Sequence, residues 1–407
     1  MQPMLRWMLL MAIWPVIAQE TALNRGLEYF QRHHDAHLAK QVEIAEIPAP
    51  TFHERERALF MQAEFRRVGL TEVEIDKQGN VLGWRPGEAS DTLVIAAHLD
   101  ISFEQGVNTK VRKVGPRWYG PGLADDSRGL VCLLALAEAL NEAKISTRRT
   151  LLFVANVGEE GLGDLNGVKY LFRESPHRSR LKAFISIDGQ DQNAIVNGGT
   201  GVKRYMVSVR GPGGHSYGNF GRPSATHALG RIIHTLSSLE APDKPKTTYN
   251  VGRMGGGTVV NAIAEEAWME VDLRSISPSE LDRIELKLME FVRTGVEQEN
   301  KARAGSGKQV TVETKLIGNR PAGQTPEADP LVRAAIAASK KIGFNPTLVY
   351  SSTDSNLPIS LGIPAITLRG GGKSDNAHSL EEWFEPEDAW KGPQVLFLTV
   401  LEYDRYN

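Results

Sequence analysis

Four short apolar runs dominate the chain: Thr92–Ala97 (TLVIAA), Thr150–Ala155 (TLLFVA), Lys182–Ile187 (KAFISI) and Pro364–Leu368 (PAITL). None alternates apolar with polar residues, so each needs cover on both faces. Helical patterning between several of them, as at 129–143 and 330–342, predicts an α/β protein with a mostly parallel sheet covered by helices on both faces. The stretch from about Gly201 to Thr314 breaks this rhythm. It reads strand (KRYMVSVRG), helix (SATHALGRIIHTLSSLEA), strand (TTYNVGRM), strand (AWMEVDLRS), helix (SPSELDRIELKLMEFV), strand (QVTVETKLI). That β-α-β-β-α-β order is the split βαβ, ferredoxin-like pattern, here inserted into the larger domain. The expected division is 1–18, 19–200, 201–314 and 315–407, with the second and fourth pieces forming one catalytic domain.

Local signals refine this reading. Thr51 and Glu54 form a candidate capping box for the helix that follows, and Ser277, Pro278 and Glu280 do the same for a later one. Residues 300–308 (NKARAGSGK) are expected to form an exposed, mobile loop. The first residues carry one arginine, Arg6, then an apolar stretch from Trp7 to Ile17 and a small residue, Ala18. This pattern predicts an export signal cleaved after Ala18 and a periplasmic or secreted protein; an uncleaved anchor is the alternative. The single cysteine, Cys132, excludes an internal disulfide and lies in an apolar helical stretch, where it reads as a small buried hydrophobe. A net charge of −2 gives no reason to expect nucleic acid or a stable membrane partner.

Each apolar run leads into residues of one chemical kind. His98-Leu99-Asp100 follows the first, Gly158-Glu159-Glu160 the second and Asp188-Gly189 the third; after the fourth come a glycine-rich stretch and His378. Asp125 and Asp126 open the helix between the first two runs. The carboxyl ends of parallel strands line one crevice, so His98, Asp125, Glu159, Glu160, Asp188 and His378 are predicted to converge. Two imidazoles among several carboxylates suit zinc or a similar divalent ion, and a shared carboxylate suits a pair of ions. Asp100 lies two residues from His98 on the same side of an extended segment, placed to orient its ring. Taken singly, each of these features is more often a solvated or structural one; His33, His34, His37, His53, His177, His227 and His234 read that way.

The stretches AHLD, GLADDSRG, GEEGLGDLNG, SIDG, GPGGHSYG, VVNAIAEEAWMEVDLRS, STDSNLPISLGIPAITL and AHSLEEW lie between about Ile47 and Trp383. Together they resemble the M20 family of co-catalytic metallopeptidases and amidohydrolases, and within it the tripeptide aminopeptidase (peptidase T-like) branch. The M28 aminopeptidases share a similar order of metal motifs, but they lack an inserted unit with GGHS. The resemblance implies a catalytic domain of zinc-exopeptidase type with a ferredoxin-like α+β lid and dimerisation domain. It implies two divalent ions per subunit, zinc first, with manganese or cobalt as alternatives. His98 and Asp188 would hold one ion, Glu160 and His378 the other, with Asp125 bridging them and a cis peptide following it. Glu159 would be the general base on the attacking water, and Asp100 would orient His98. His215 would reach the partner's active site in a homodimer and stabilise the oxyanion, while Asn261 and Arg274 would bind a substrate carboxylate. Tyr217 follows GGHS where relatives often have a small residue, which bears on substrate choice.

The implied activity is hydrolysis of an amide bond in short peptides, from the amino end. Carboxypeptidase or N-acyl-amino-acid deacylase activity is the alternative in the same class. An inactive peptide-binding relative is a remote one, because every expected position is filled.

Overall fold

The computed structural model describes residues 20–189 and 191–405; the export signal expected over residues 1–18 lies outside the described residues. Among these, no helix is long and apolar enough to cross a membrane. The chain folds into two compact units, Gly199–Gly323 and the remainder on either side of it in sequence.

The larger unit is built on a nine-stranded mixed sheet. Its central run has the order Thr71–Ile75, Val81–Arg85, Arg149–Asn156, Ala89–His98, Leu181–Ile187, Ala365–Leu368, Ala194–Gly199. The four strands from Arg149–Asn156 to Ala365–Leu368 are mutually parallel, and these contain the four apolar runs. Their lack of alternation has the expected cause. Leu93, Ile95, Ala97, Leu151, Phe153, Ala155 and Ile185 point into one core, while Val94, Ala96, Leu152, Val154 and Phe184 point into another. The period of two thus sends each strand's side chains alternately to two helix-covered faces. The first core takes the helices Ser127–Glu142, Pro330–Ile342 and Lys391–Arg405, and the second takes Asn166–Arg173. Register aligns His98 with Asn156 and Ile187 with Leu368, so the parallel strands end on one edge. Cys132 is buried in the first core, and burial pushes its thiol up to about 11, which leaves it a protonated hydrophobe.

The smaller unit is an antiparallel four-stranded sheet in the order Thr247–Gly256, Glu266–Ser275, Gly201–Arg210, Thr311–Arg320. One face packs against the helices Ala225–Leu236 and Pro278–Ala302 through Val207, Val209, Met269, Val271, Leu229 and Ile284.

Three local expectations are corrected. The helix after Thr51 starts only at Arg55, with no side-chain cap; the Thr51 hydroxyl donates to Asp100 Oδ2 instead, at 2.8 Å. The Ser277 box is half made: Ser277 Oγ accepts from Glu280 N at 3.4 Å, but the Glu280 carboxylate turns to Arg283. Residues 300–302 are not loop but the last residues of a helix, held because Asn300 both donates to Val310 O and accepts from Val310 N.

Candidate metal centre

The site is assembled from strand ends. His98 closes its strand, buried, with its backbone N–H donating to Asp126 Oδ2 at 3.1 Å. The other oxygen of Asp126 accepts from Gly129 N at 2.9 Å and caps the helix Ser127–Glu142. The adjacent acids therefore divide, Asp126 to the helix cap and Asp125 to the crevice, across a cis peptide bond. Asp125 Oδ1 lies 3.0 Å from His98 Nε2, and its Oδ2 lies 3.1 Å from His378 Nε2. His378 Nε2 is also 2.8 Å from Glu160 Oε1. His98, Asp125 and Glu160 offer ligand atoms that all lie within 4.8 Å of one another and could hold a metal ion.

The glutamate pair is placed by a turn that needs glycine. Gly158 has φ +65°, and a Cβ there would lie 2.4 Å from Asn166 Oδ1. Glu159 and Glu160 are both buried. Their backbone N–H groups donate to the two oxygens of Asp100, each at 2.9 Å. This gives Asp100 a larger role than orienting His98. The acceptor nearest His98 Nδ1 is the Asp100 carbonyl at 3.0 Å, and the carboxylate oxygen is farther, at 3.5 Å. The Asp100 carboxylate mainly grips the turn that carries the glutamates, together with Thr51.

Whether these residues fit a metal follows from the tautomer. A carbonyl only accepts, so His98 Nδ1 carries a proton, and the ring in its neutral form presents a lone pair at Nε2. In that form the lone pair faces an Asp125 oxygen at 3.0 Å, which repels it unless a proton or a metal ion lies between them. Imidazoles are the only cationic side chains paired with Asp125 and Glu160 among the described residues. The donor set of neutral nitrogens and carboxylate oxygens fits zinc, manganese or cobalt.

Without an ion the electrostatics are strained. Burial works against a charge on His98, but hydrogen bonds to Asp100 and Asp125 outweigh it and raise the ring well above its usual range. Hydrogen bonds to Asp125 and Glu160 raise His378 to about 11. Burial, opposed by His378 and reinforced by Glu159, raises Glu160 to about 7. Burial and the Asp125 charge raise Asp188 to about 6. Asp188 follows its strand directly and stands close enough to feel Asp125, His98 and Glu160. The Arg369 guanidinium, which donates to the Asp188 carbonyl at 2.6 Å, completes that corner.

Arg57, Asp354 and Asn156 escape the sequence reading. Arg57 is fully buried and donates to the carbonyls of Ile47, Leu99 and Ala45, pinning the segment between His98 and Asp100. Arg57→Met is expected to leave these acceptors unpaired and cost about 3–5 kcal/mol in urea unfolding. Asp354 is buried and accepts from Asn156 Nδ2 at 2.7 Å. Burial first, and then the charge of Glu159, hold its carboxyl well above the usual range. Asp354 sat in the stretch STDSN, and Asn156 two residues before GEEGLGDLNG, both stretches that sequence motifs singled out.

In the smaller unit, His215 pairs with Ala262, and Ser216 N donates to Asn261 O at 2.9 Å. His215 Nδ1 accepts from the N–H groups of Tyr217 and Gly218, both at 3.2 Å. That leaves Nε2–H as the free donor of a neutral ring. His215 and Asn261 line one groove of 890 Å³ with Trp268. Arg274 is not brought to it: it stands six residues beyond Trp268 on the same strand, roughly 20 Å away at strand rise, with Nε on Asp272 Oδ2 at 2.7 Å. Tyr217 is 88% exposed and does not line this groove.

Residues 94–402 match the family model for peptidase family M20/M25/M40. The chain belongs to that family. It is a metallohydrolase of the M20 type, and its α/β fold is that of M20 structures. YqjE of Bacillus subtilis (strain 168) is 26% identical over 384 residues, covering 90% of this chain and 97% of that protein. Carboxypeptidase G2 of Pseudomonas sp. (strain RS-16) is 22% identical over 232 residues, 55% of each chain. The crystal structure of aminopeptidase PepT from Bacillus cereus superposes with a TM-score of 0.73 at 22% identity, covering 92% of this chain and 99% of that one.

Proposed function

We propose that this M20 metallohydrolase is an exported exopeptidase that cleaves the amino-terminal residue from short peptides. The observation that carries the reading is the convergence of two imidazole Nε2 atoms and the Asp125 and Glu160 carboxylates at one edge of the sheet, with Glu159 buried beside them. His98, Asp188, Glu160 and His378 would hold two divalent ions, zinc first, with Asp125 between them. Such ions, when bound, polarise the scissile carbonyl and acidify water.

The chain's own groups do the rest. Glu159 Oε takes a proton from the attacking water as the new C–O bond forms, and returns it to the leaving amine nitrogen as the C–N bond breaks. Asp100 holds that glutamate's backbone in place throughout. The partner subunit's His215 presents Nε2–H to the carbonyl oxygen as it gains negative charge, a term that often dominates such reactions. Asn261 and Arg274, which a single subunit holds apart, would meet the substrate carboxylate from opposite subunits of the dimer. This role for His215 requires a homodimer through the smaller unit, so sedimentation of the active enzyme is expected to give a dimer, and a fully active monomer would remove it.

Three substrates separate the readings: one tripeptide, its N-acetyl form and its C-terminal amide. The free tripeptide is expected to be cleaved, with activity lost on acetylation. A requirement for the acyl group instead indicates a deacylase. Cleavage of the acetylated form at its carboxyl end indicates a carboxypeptidase.

A further inference from the structure

Glu382 is a buried carboxylate that none of the steps above uses. Its oxygens accept three backbone N–H groups from one short segment. Gly122 N donates to Oε2 at 2.8 Å, and Ala124 N and Asp125 N donate to Oε1 at 2.7 and 3.1 Å. Its own carbonyl accepts a fourth, from Gly120 N at 3.1 Å. The segment curls around the carboxylate with its N–H groups inward, the kind of backbone nest that binds anions. Glycine at 122 permits the curl: φ is +70°, and a Cβ would meet Ile101 Cγ2 at 2.2 Å. Ser127 closes the far side, with N and Oγ on Gly122 O at 3.2 and 2.6 Å. The nest ends at Asp125, whose side chain faces both His98 and His378.

The other end of this link is His378 itself. It lies four residues before Glu382, with φ +64° and a side chain 56% exposed, so burial fixes it little. The chain between them closes through Glu382 N on Ser379 O at 3.0 Å. Immediately after Glu382, Trp383 and Phe384 pair with Tyr119 and Trp118. Both ligand-bearing segments are therefore fastened at the same residue.

We infer that Glu382 is a positioning residue that ties the Asp125 segment to the His378 segment and so sets the spacing of a carboxylate and an imidazole serving the same metal pair. This rests on the metallohydrolase reading above. Both oxygens accept N–H groups, so an amide cannot substitute: one of its two ends would present NH₂ to a backbone N–H.

The test is a titration of metal-free protein with Co²⁺, read by the visible absorption of the bound ion and by competition with a chelator. The wild type is expected to take up two ions per chain. Glu382→Gln is expected to bind Co²⁺ about 10- to 100-fold more weakly, the usual range for a group that orients a ligand. Its absorption spectrum changes, and kcat recovers as Co²⁺ is raised while KM stays unchanged. Glu382→Asp, which keeps the charge and both acceptors on a shorter stem, is expected to fall between, and it decides the matter where Glu382→Gln does not fold. Glu381→Gln removes a carboxylate one residue away whose side chain is 71% exposed, and is expected to match the wild type. A lowered melting temperature with wild-type Co²⁺ affinity and spectrum in the Glu382 variants would overturn the inference and leave the metallohydrolase reading standing. A wild type that takes up no Co²⁺ overturns both.

Discussion

Glu159→Gln is expected to retain its full complement of metal and to lose turnover by roughly 10²- to 10⁴-fold, the usual contribution of a positioned proton-transfer group. Glutamine keeps the shape of the side chain but cannot carry a proton between water and amine. The substitution leaves the turn undisturbed, because Asp100 grips residues 159 and 160 through their backbone N–H groups. Glu160→Gln is expected to do the reverse. Its Oε1 lies 2.8 Å from His378 Nε2, in the ligand cluster, so metal retention falls first, by more than the roughly 10–100-fold typical of outer-shell partners, and turnover follows. Elemental analysis after dialysis, set beside kcat at saturating metal, separates the two. Two variants that behave alike, both fully metallated, would sink the division of labour.

How much of this was legible in the sequence depends on the range over which each feature is set. The four parallel strands were readable because burial on both faces removes alternation, and that pattern survives in a single run such as TLLFVA, every residue of which is buried. The residues of the crevice were readable because strand ends in such a sheet share an edge, so position along the chain nearly determines position in space. The acids at 125–126 were readable as the opening of a helix; that Asp126 takes the cap while Asp125 enters the crevice comes from the fold.

What the sequence hid was the partner of each buried polar group. Thr51 looked like a helix cap because Glu54 stands three residues on, but the Asp100 carboxylate offers its hydroxyl a stronger, charged acceptor. Arg57 sits in RERALFMQAEFRR as one arginine among several. Only the tertiary fold directs it inward onto three carbonyls while its neighbours Arg55 and Arg66 stay exposed. Glu382 is one of two adjacent glutamates in SLEEW, and nothing local distinguishes it from Glu381. Its role depends on a glycine-rich segment 260 residues earlier in the chain. Contacts of that range leave no periodic trace.

Loading the site with metal is expected to expel protons, and the number sets how steeply affinity depends on pH. In the metal-free protein, despite burial, hydrogen bonds to Asp100 and Asp125 hold the His98 ring well above its usual range, and those to Asp125 and Glu160 raise His378 to about 11, so the surroundings favour a proton on both rings. A metal needs both as lone-pair donors, so each protonated ring gives up its proton when its position fills. The direction follows: protons compete with metal for these nitrogens, so affinity rises with pH and falls as acid is added. Each displaced proton changes the affinity by roughly a factor of ten per pH unit, so His378 alone is expected to give at least that slope between about pH 7 and 9, and His98 to steepen it over the range in which its ring holds a proton. Below pH 7 Glu160, raised to about 7, must also lose a proton, and the slope steepens further. Below about pH 6 Asp188 adds another. Calorimetric Zn²⁺ titrations at pH 8 in buffers of different ionisation enthalpy are expected to report at least one proton released, from His378, and up to two with His98. A release near zero would mean that the two imidazoles enter the metal site already neutral, and the charge balance drawn here for His98, His378 and Asp125 would fall with it.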